Sequence, residues 1–315
     1  MTSGKTAIIY DPIYKEHKPG QSHPESPQRY DAVLKGIKDA VPEETLLKVK
    51  PRAAAEDEIM LCHPKKNIDL VKRDVASDIK CLSTGDTDLS EKSFDVALMA
   101  AGGVITAVGK VMDGTVRNAF CAVRPPGHHA TSDMGMGFCI FNNIAIGARY
   151  VQKKYKIGKV LIVDWDVHHG NGTQAIFYDD PSVFYFSTHQ WPCYPGTGQA
   201  GETGIGKGKG FTLNCPFPPG SGRKEIVGAF KEKLVPAMVK FKPEFVFISA
   251  GFDARAGDLI GNLMLTDKDF AELTGILIEI AEKYASGHIV SALEGGYTLS
   301  GLASAAGAHV KSLSS

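Results

Sequence analysis

Short β-branched, apolar runs alternate along most of the chain with longer segments whose apolar positions recur at helical spacing. This is the pattern of parallel strands joined by crossover helices, an α/β architecture with a mostly parallel central sheet and helices on both faces. Six strands are predicted: Thr6 to Tyr10, Ala119 to Val123, Lys159 to Val163, Val183 to Ser187, Phe245 to Ser249 and His288 to Ala292. The intervening spacing predicts helices over Pro27 to Ala40, Phe94 to Met112, Asn142 to Lys156, Arg223 to Phe241, Asp267 to Tyr284 and Leu299 to Val310. Gly102-Gly103 falls inside the second helix, where a glycine costs about 1 kcal/mol against alanine, so close packing is expected there.

Glycine-rich turns follow the predicted strands: Pro125-Pro126-Gly127, His169-Gly170-Asn171-Gly172, Pro195-Gly196-Thr197-Gly198, Gly251 and Gly295-Gly296. In an open parallel sheet the ligand crevice lies outside the carboxyl ends of the strands, so the chemistry is expected at that edge. The run from Gly204 to Gly210 lacks phosphate-loop spacing and precedes a strand instead of opening a helix, so it reads as a flexible basic surface loop.

A length of 315 residues is at the upper edge of what one hydrophobic core fills, which predicts one domain over residues 1–315. With 43% hydrophobic and 22% charged residues, disordered, collagen-like and coiled-coil chains are excluded. Thirty-five basic and thirty-five acidic side chains leave no global field to favour nucleic acid or an anionic membrane, so recognition of charged partners must be local. The start, Met1-Thr2-Ser3-Gly4-Lys5-Thr6, leads into an apolar run too short for a signal peptide, and no stretch is read as long enough for a membrane span. Six cysteines without a C-x-x-C pair are expected to be reduced thiols in a cytoplasmic protein.

Candidate chemistry begins where the strand ending at Val163 runs into Asp164-Trp165-Asp166-Val167-His168-His169-Gly170-Asn171. Asp164, Asp166 and His168 alternate, so an extended chain would point them to one side, and two carboxylates at the end of an apolar strand call for a cation. A second apolar strand leads through Gly251 to Asp253, which alone would serve equally well as a helix cap. Together Asp166, His168 and Asp253 supply three N/O ligands with an open position, the arrangement of a catalytic metal. Tandem His128-His129 behind a Pro-Pro-Gly turn look like acid/base machinery. Tyr297 follows two glycines and suits packing or catalysis alike.

These blocks, with His23-Pro24-Glu25-Ser26-Pro27-Gln28-Arg29, Gly137-Phe138-Cys139-Ile140-Phe141-Asn142-Asn143 and Tyr194-Pro195-Gly196-Thr197-Gly198, occur in an order that resembles the zinc-dependent histone deacetylase family. Trp165, Asn171 and Thr173-Gln174 resemble its class II branch and bacterial or archaeal relatives. The resemblance implies an arginase-like fold and hydrolysis of an acetylated amine, in a peptide, protein or small molecule. It implies zinc on Asp166, His168 and Asp253, His129 as general base with His128 as its electrostatic partner, and Tyr297 as donor to the oxyanion. Asp164 and Asn171 would orient His128 and His129. Structural potassium is implied at Asp164, Asp166, His168, Ser187 and Thr188. A substrate tunnel is implied between Phe138 and Tyr194, with the Gly137 carbonyl accepting the amide, Leu265 near the mouth, and Asp86 or Asp88 gripping substrate. Acetylpolyamine-specific relatives place a glutamate where Leu265 is expected, so a neutral rim implies a preference for acetyl-lysine. A ureohydrolase would need a second aspartate after Asp253, where the chain reads Ala254-Arg255; a non-catalytic binding module would need no general base.

Overall fold

The computed structural model describes residues 4–315. Met1-Thr2-Ser3, part of the run judged too short for a signal peptide, lies outside the described residues. Eight strands form one sheet: β1 (Thr6–Ile9), β2 (Leu46–Val49), β3 (Asn118–Cys121), β4 (Val160–Asp164), β5 (Val183–Gln190), β6 (Thr212–Phe217), β7 (Phe245–Ala250) and β8 (Ile289–Leu293). Their order is β2-β1-β3-β8-β7-β4-β5-β6, and every pairing is parallel.

All six strands read from the apolar runs are present, and the strand anticipated after the Gly204 to Gly210 loop is β6. The four central strands are buried along their whole length, which is why they read as continuous apolar runs instead of alternating ones. Edge strand β2, Leu46-Leu47-Lys48-Val49, is half-exposed and too short to stand out from its polar surroundings. The apolar spacing also did not mark the helices Lys65–Ala76 and Asn171–Phe177, whose buried positions include the polar residues Asn67 and Asp74 in the first and Thr173 and Gln174 in the second.

The region from Arg223 to Phe241 is helical throughout, but a wide π turn over Phe230–Leu234 joins Arg223–Ala229 to Val235–Phe241. Pro236 has no N–H to donate, and the widened turn absorbs the missing bond. Close packing at the paired glycines is confirmed: a Cβ on Gly102 would lie 1.9 Å from the Arg52 carbonyl oxygen, and one on Gly103 would lie 2.7 Å from the Tyr14 hydroxyl. The helix that carries them, Ser93–Met112, is long and apolar enough by length and composition to cross a membrane, contrary to the sequence reading. Twelve of its residues are buried, consistent with a core helix. The loop 204–210 exposes Lys207 and Lys209 as expected, but backbone bonds from Ile205 to Tyr178 (2.9 Å) and Gly210 to Thr203 (2.6 Å) fasten it.

Adjacent strands β3, β8, β7 and β4 each end in one of the chemical segments singled out in the sequence. In register, Asp164 lies beside Ser249 and Ser187, and Ser249 beside Ala292, so the segments leave the sheet at one level.

Beneath this edge His309 is fully buried against Trp165, with Nδ1 2.7 Å from Thr274 Oγ1 and Nε2 2.9 Å from Ser291 Oγ. Burial lowers its pKa from 6.5 to about 3, so the folded state keeps it neutral. Below pH 6.5 the unfolded chain binds a proton that the folded chain refuses, and stability falls as the pH drops toward 3. His309→Gln should therefore flatten the loss of unfolding free energy between pH 7 and pH 5 by about 2 kcal/mol, read from urea titrations at both pH values.

Candidate active site

Beyond β4 the chain places Asp166 and His168 against Asp253, which follows β7. His168 Nδ1 lies 3.0 Å from Asp166 Oδ1 and 3.4 Å from Asp253 Oδ2. Backbone N–H groups aim the carboxylates: Gly295 donates to Asp166 Oδ2 (2.8 Å), His168 to Asp166 Oδ1 (2.9 Å) and Val167 to Asp253 Oδ1 (2.8 Å). Two glycines make room, since a Cβ at Gly251 would sit 2.1 Å from Asp166 Oδ2 and one at Gly295 would sit 2.0 Å from Asp253 Oδ2. One donor atom from each residue lies within 4.8 Å of the others, and Asp253 Oδ2 is buried without a hydrogen-bond partner among the described residues. Burial and the charge of Asp166 push the Asp253 carboxyl upward. A buried carboxylate oxygen left unpaired beside a second carboxylate is costly, and a divalent cation removes the cost. The donor set fits such an ion.

The turn after β3 is pinned from β8. Glu294 accepts from the N–H of Gly127 (2.7 Å) and of His128 (3.2 Å) and from Ser249 Oγ (3.0 Å). His128 Nδ1 lies 3.0 Å from Asp164 Oδ2, which also accepts from the Tyr185 hydroxyl at 3.1 Å, while His129 Nδ1 lies 2.7 Å from Asn171 Oδ1. Burial opposes charge on His128, but Asp164 and Asp166 outweigh it and raise its pKa to about 10. Burial first and the neighbouring His128 second hold His129 well below 6.5. Two imidazoles with centroids 4.0 Å apart are thus driven to opposite protonation states. With Asn171 accepting from Nδ1, His129 keeps Nε2 free as a base.

Tyr297 is placed by the glycine turn anticipated in the sequence and by two side chains that the sequence did not tie to it, Asp258 and Arg29. Asp258 Oδ2 accepts from the Tyr297 N–H at 2.8 Å, and Gly296, at φ +116°, turns the chain beside it. The buried Arg29 donates to the carbonyls of Gly296 (2.7 Å) and Glu294 (2.5 Å) and lies 4.9 Å over the Tyr297 ring. Glu25 bridges Arg29 (2.9 Å) and Arg124 (2.5 Å); burial opposes its charge, but the two guanidiniums hold its pKa down to about 2. The i, i+4 spacing of Glu25 and Arg29 was the available signal, though it does not reveal that both are buried. Glu294 stands directly after β8 at the head of the block Glu294-Gly295-Gly296-Tyr297, but that position did not reveal its role, and Tyr185 carried no signal beyond lying in an apolar strand.

A cavity of about 190 Å³ reaches the metal triad, lined by Asp86, His129, Gly137, Phe138, His168, Tyr194, Ile260 and Tyr297. Tyr194 meets the His129 ring edge-on with centroids 5.1 Å apart. Asp86 is the acidic residue of the mouth: its Oδ1 accepts from Gly137 N (2.7 Å) and the Tyr194 hydroxyl (3.3 Å), whereas Asp88 bridges back to Cys81. Leu265 is not at the mouth. Backbone bonds from Leu265 N to Ala254 O (3.1 Å) and Ala256 N to Leu265 O (2.8 Å) tuck it into the core, fully buried. Ile260 takes the expected position, its N–H held by Asp258 Oδ1 at 3.2 Å. The sequence reading missed this because nothing in the pattern shows that residues 254–265 fold back on themselves. Ser187 Oγ lies 2.9 Å from His189 Nδ1, and the buried Thr188 hydroxyl has no partner.

The sequence and the fold have close counterparts. The histone deacetylase domain pattern matches residues 23–313. The chain is 38% identical to a probable deacetylase of Archaeoglobus fulgidus, across 94% of this chain and 82% of that protein. It is 39% identical to the chloroplastic histone deacetylase 10 of Oryza sativa subsp. japonica, across 90% of this chain and 68% of that one. Identity to the human polyamine deacetylase HDAC10 is 39%, across 89% of this chain but 43% of that protein. The crystal structure of the HDA15 HD domain matches with a TM-score of 0.92 at 36% identity, covering 99% of this chain and 89% of its own. The architecture is the arginase/deacetylase fold in its amide-hydrolysing form. The chain belongs to the histone deacetylase family.

Elemental analysis of the purified protein should find about one equivalent of divalent metal per chain, and Asp253→Ala should lose it. A full complement of metal in that variant would remove Asp253 from the ligand set.

Proposed function

We propose that this protein is a zinc-dependent deacylase that hydrolyses N-acetylated amines, with acetyl-lysine in peptides or proteins preferred over acetylpolyamines. The observation that carries the reading is the cavity lined by His129, His168 and Tyr297, whose His168 Nδ1 lies 3.4 Å from the buried Asp253 Oδ2. Asp166, His168 Nδ1 and Asp253 would hold the metal; zinc there supplies Lewis-acid polarisation of the scissile carbonyl and of the attacking water. His129 Nε2 takes the proton of that water and returns it to the departing amine, while Asn171 fixes the ring through Nδ1. His128, paired with Asp164, keeps a proton and supplies positive charge beside the reacting centre. The Tyr297 hydroxyl donates to the carbonyl oxygen as negative charge grows on it.

Phe138 and Tyr194 clasp the alkyl chain of the amine, the Gly137 carbonyl accepts its amide N–H, and Asp86 accepts from a donor outside the mouth. Potassium would be held by Asp164, Asp166, His168, Ser187 and Thr188, partly through main-chain oxygens. Six free cysteines accord with a reducing, cytoplasmic setting.

Substrate preference rests on Ile260. An uncharged residue at the mouth offers no attraction to a second ammonium, and Asp258 is occupied by the N–H groups of Tyr297 and Thr298. In competition assays the wild type should therefore have the higher kcat/KM for an acetyl-lysine peptide. Ile260→Glu should shift the ratio toward acetylspermidine by about tenfold, or roughly 1.4 kcal/mol. A tenfold wild-type preference for the polyamine would instead make Asp86 the determinant.

Tyr297→Phe should keep KM within about threefold while kcat falls by about 10²-fold, since the lost donor matters most to the oxyanion. A raised KM at unchanged kcat would make Tyr297 a binding residue.

A further inference from the structure

Tyr194 belongs to an irregular segment, residues 191–202, that follows β5 and has no secondary structure of its own. Its position against His129 depends on what fastens that segment, and one carboxylate both folds the segment on itself and ties it to the helix Asn171–Phe177. Glu202 accepts from the N–H of Gly198 (3.1 Å to each oxygen) and of Gln199 (2.9 Å), and from Gln174 Nε2 at 2.6 Å. Gln174 is three residues beyond Asn171 on the helix Asn171–Phe177, so the same helix face that orients His129 also receives Glu202.

The hydrogen bonds have a fixed direction. A carboxylate only accepts, so Glu202 draws the Gln174 amide nitrogen toward itself and turns Oε1 the other way. That oxygen accepts from Asn214 Nδ2 (2.7 Å) and pairs with His169 Nε2 (2.9 Å). His169 is therefore protonated at Nε2, and its Nδ1 is left to accept from the Thr197 hydroxyl at 2.8 Å, back in the same segment. His189 adds a parallel tie, with Nε2 2.9 Å from the Gly198 carbonyl. Gly198, at φ +91°, lies flush on both rings: a Cβ there would be 2.5 Å from His169 and 2.6 Å from His189.

We infer that Glu202 is a positioning residue which, through Gln174 and His169, latches the segment 191–202 and so sets the tunnel wall formed by Tyr194. The inference rests on the deacylase reading for the identity of the tunnel. Glu202 and Gln174 hydrogen-bond neither to the Asp166, His168 and Asp253 cluster nor to the tandem histidines, so the latch should govern affinity for whatever fills the tunnel more strongly than binding at the metal end.

Two probes separate these ends in calorimetric titrations of the zinc-loaded protein: acetohydroxamate, which reaches only the metal end, and an aryl hydroxamate with a six-carbon linker, which also fills the tunnel. Glu202→Ala should weaken the long ligand by about tenfold or more, change acetohydroxamate by less than twofold, and keep the wild-type metal content. Gln174→Glu, which sets two carboxylates face to face, should show the same selective loss. The exchanged pair Glu202→Gln with Gln174→Glu restores a donor on one side facing an acceptor on the other, and should recover the long ligand to within about threefold of wild type. Equal weakening of both ligands, lost metal, or no recovery in the exchanged pair would overturn the latch. Failure of the wild-type protein to bind acetohydroxamate at all would instead count against the deacylase reading.

Discussion

Two carboxylates, Asp166 and Asp253, are buried side by side at the ends of strands β4 and β7, and most of what surrounds them answers to that one electrostatic constraint. Like charges in a medium of low polarity are tolerable only when each oxygen is matched. Three oxygens are matched by backbone N–H groups of Gly295, His168 and Val167, and the fourth is left for a cation. Close approach of backbone to carboxylate is feasible only because positions 251 and 295 carry no side chain.

The same constraint organises the tandem histidines. Asp164, directly before the ligands, would add a third negative group were it not tied to His128, so the charge that holds a proton on one imidazole also depresses its neighbour. Further out, Glu294 faces the His128 turn while the Arg29, Glu25 and Arg124 cluster supports the backbone of Glu294 and Gly296. The protein thus alternates sign in successive shells around the site, and each shell fixes the geometry of the one inside it.

How much of this was visible in the linear chain follows from what each feature depends on. Strands buried on both faces announce themselves by unbroken apolar runs, and residues at their ends inherit a location from topology, which is why Asp166, His168, Asp253, His128, His129 and Tyr297 could be named in advance. The exposed edge strand β2 carries no such run. Leu265 and Ile260 were confused because both are aliphatic and lie five residues apart in one loop; a single backbone bridge to Ala254 decides which enters the core. Asp86 and Asp88 were indistinguishable for the same reason, until the loop's own pairing at Cys81 separated them. Glu202 had no periodicity to mark it, since its partners lie in a helix, a strand and its own loop.

The sheet order also has a consequence for how the molecule comes into being. The strand ends that bear the site, β3, β8, β7 and β4, are neighbours in space but span residues 118–293 in sequence. Contacts of such long sequence separation form late, after the entropy of closing large loops has been overcome. On a ribosome, the triad cannot assemble until β7 has emerged, and Gly295 cannot brace it until β8 has been inserted between β3 and β7. Completion of the Asp166, His168 and Asp253 cluster therefore falls near the end of folding, and a truncated or partly translated chain presents the unpaired carboxylates as a destabilising defect instead of an early nucleus.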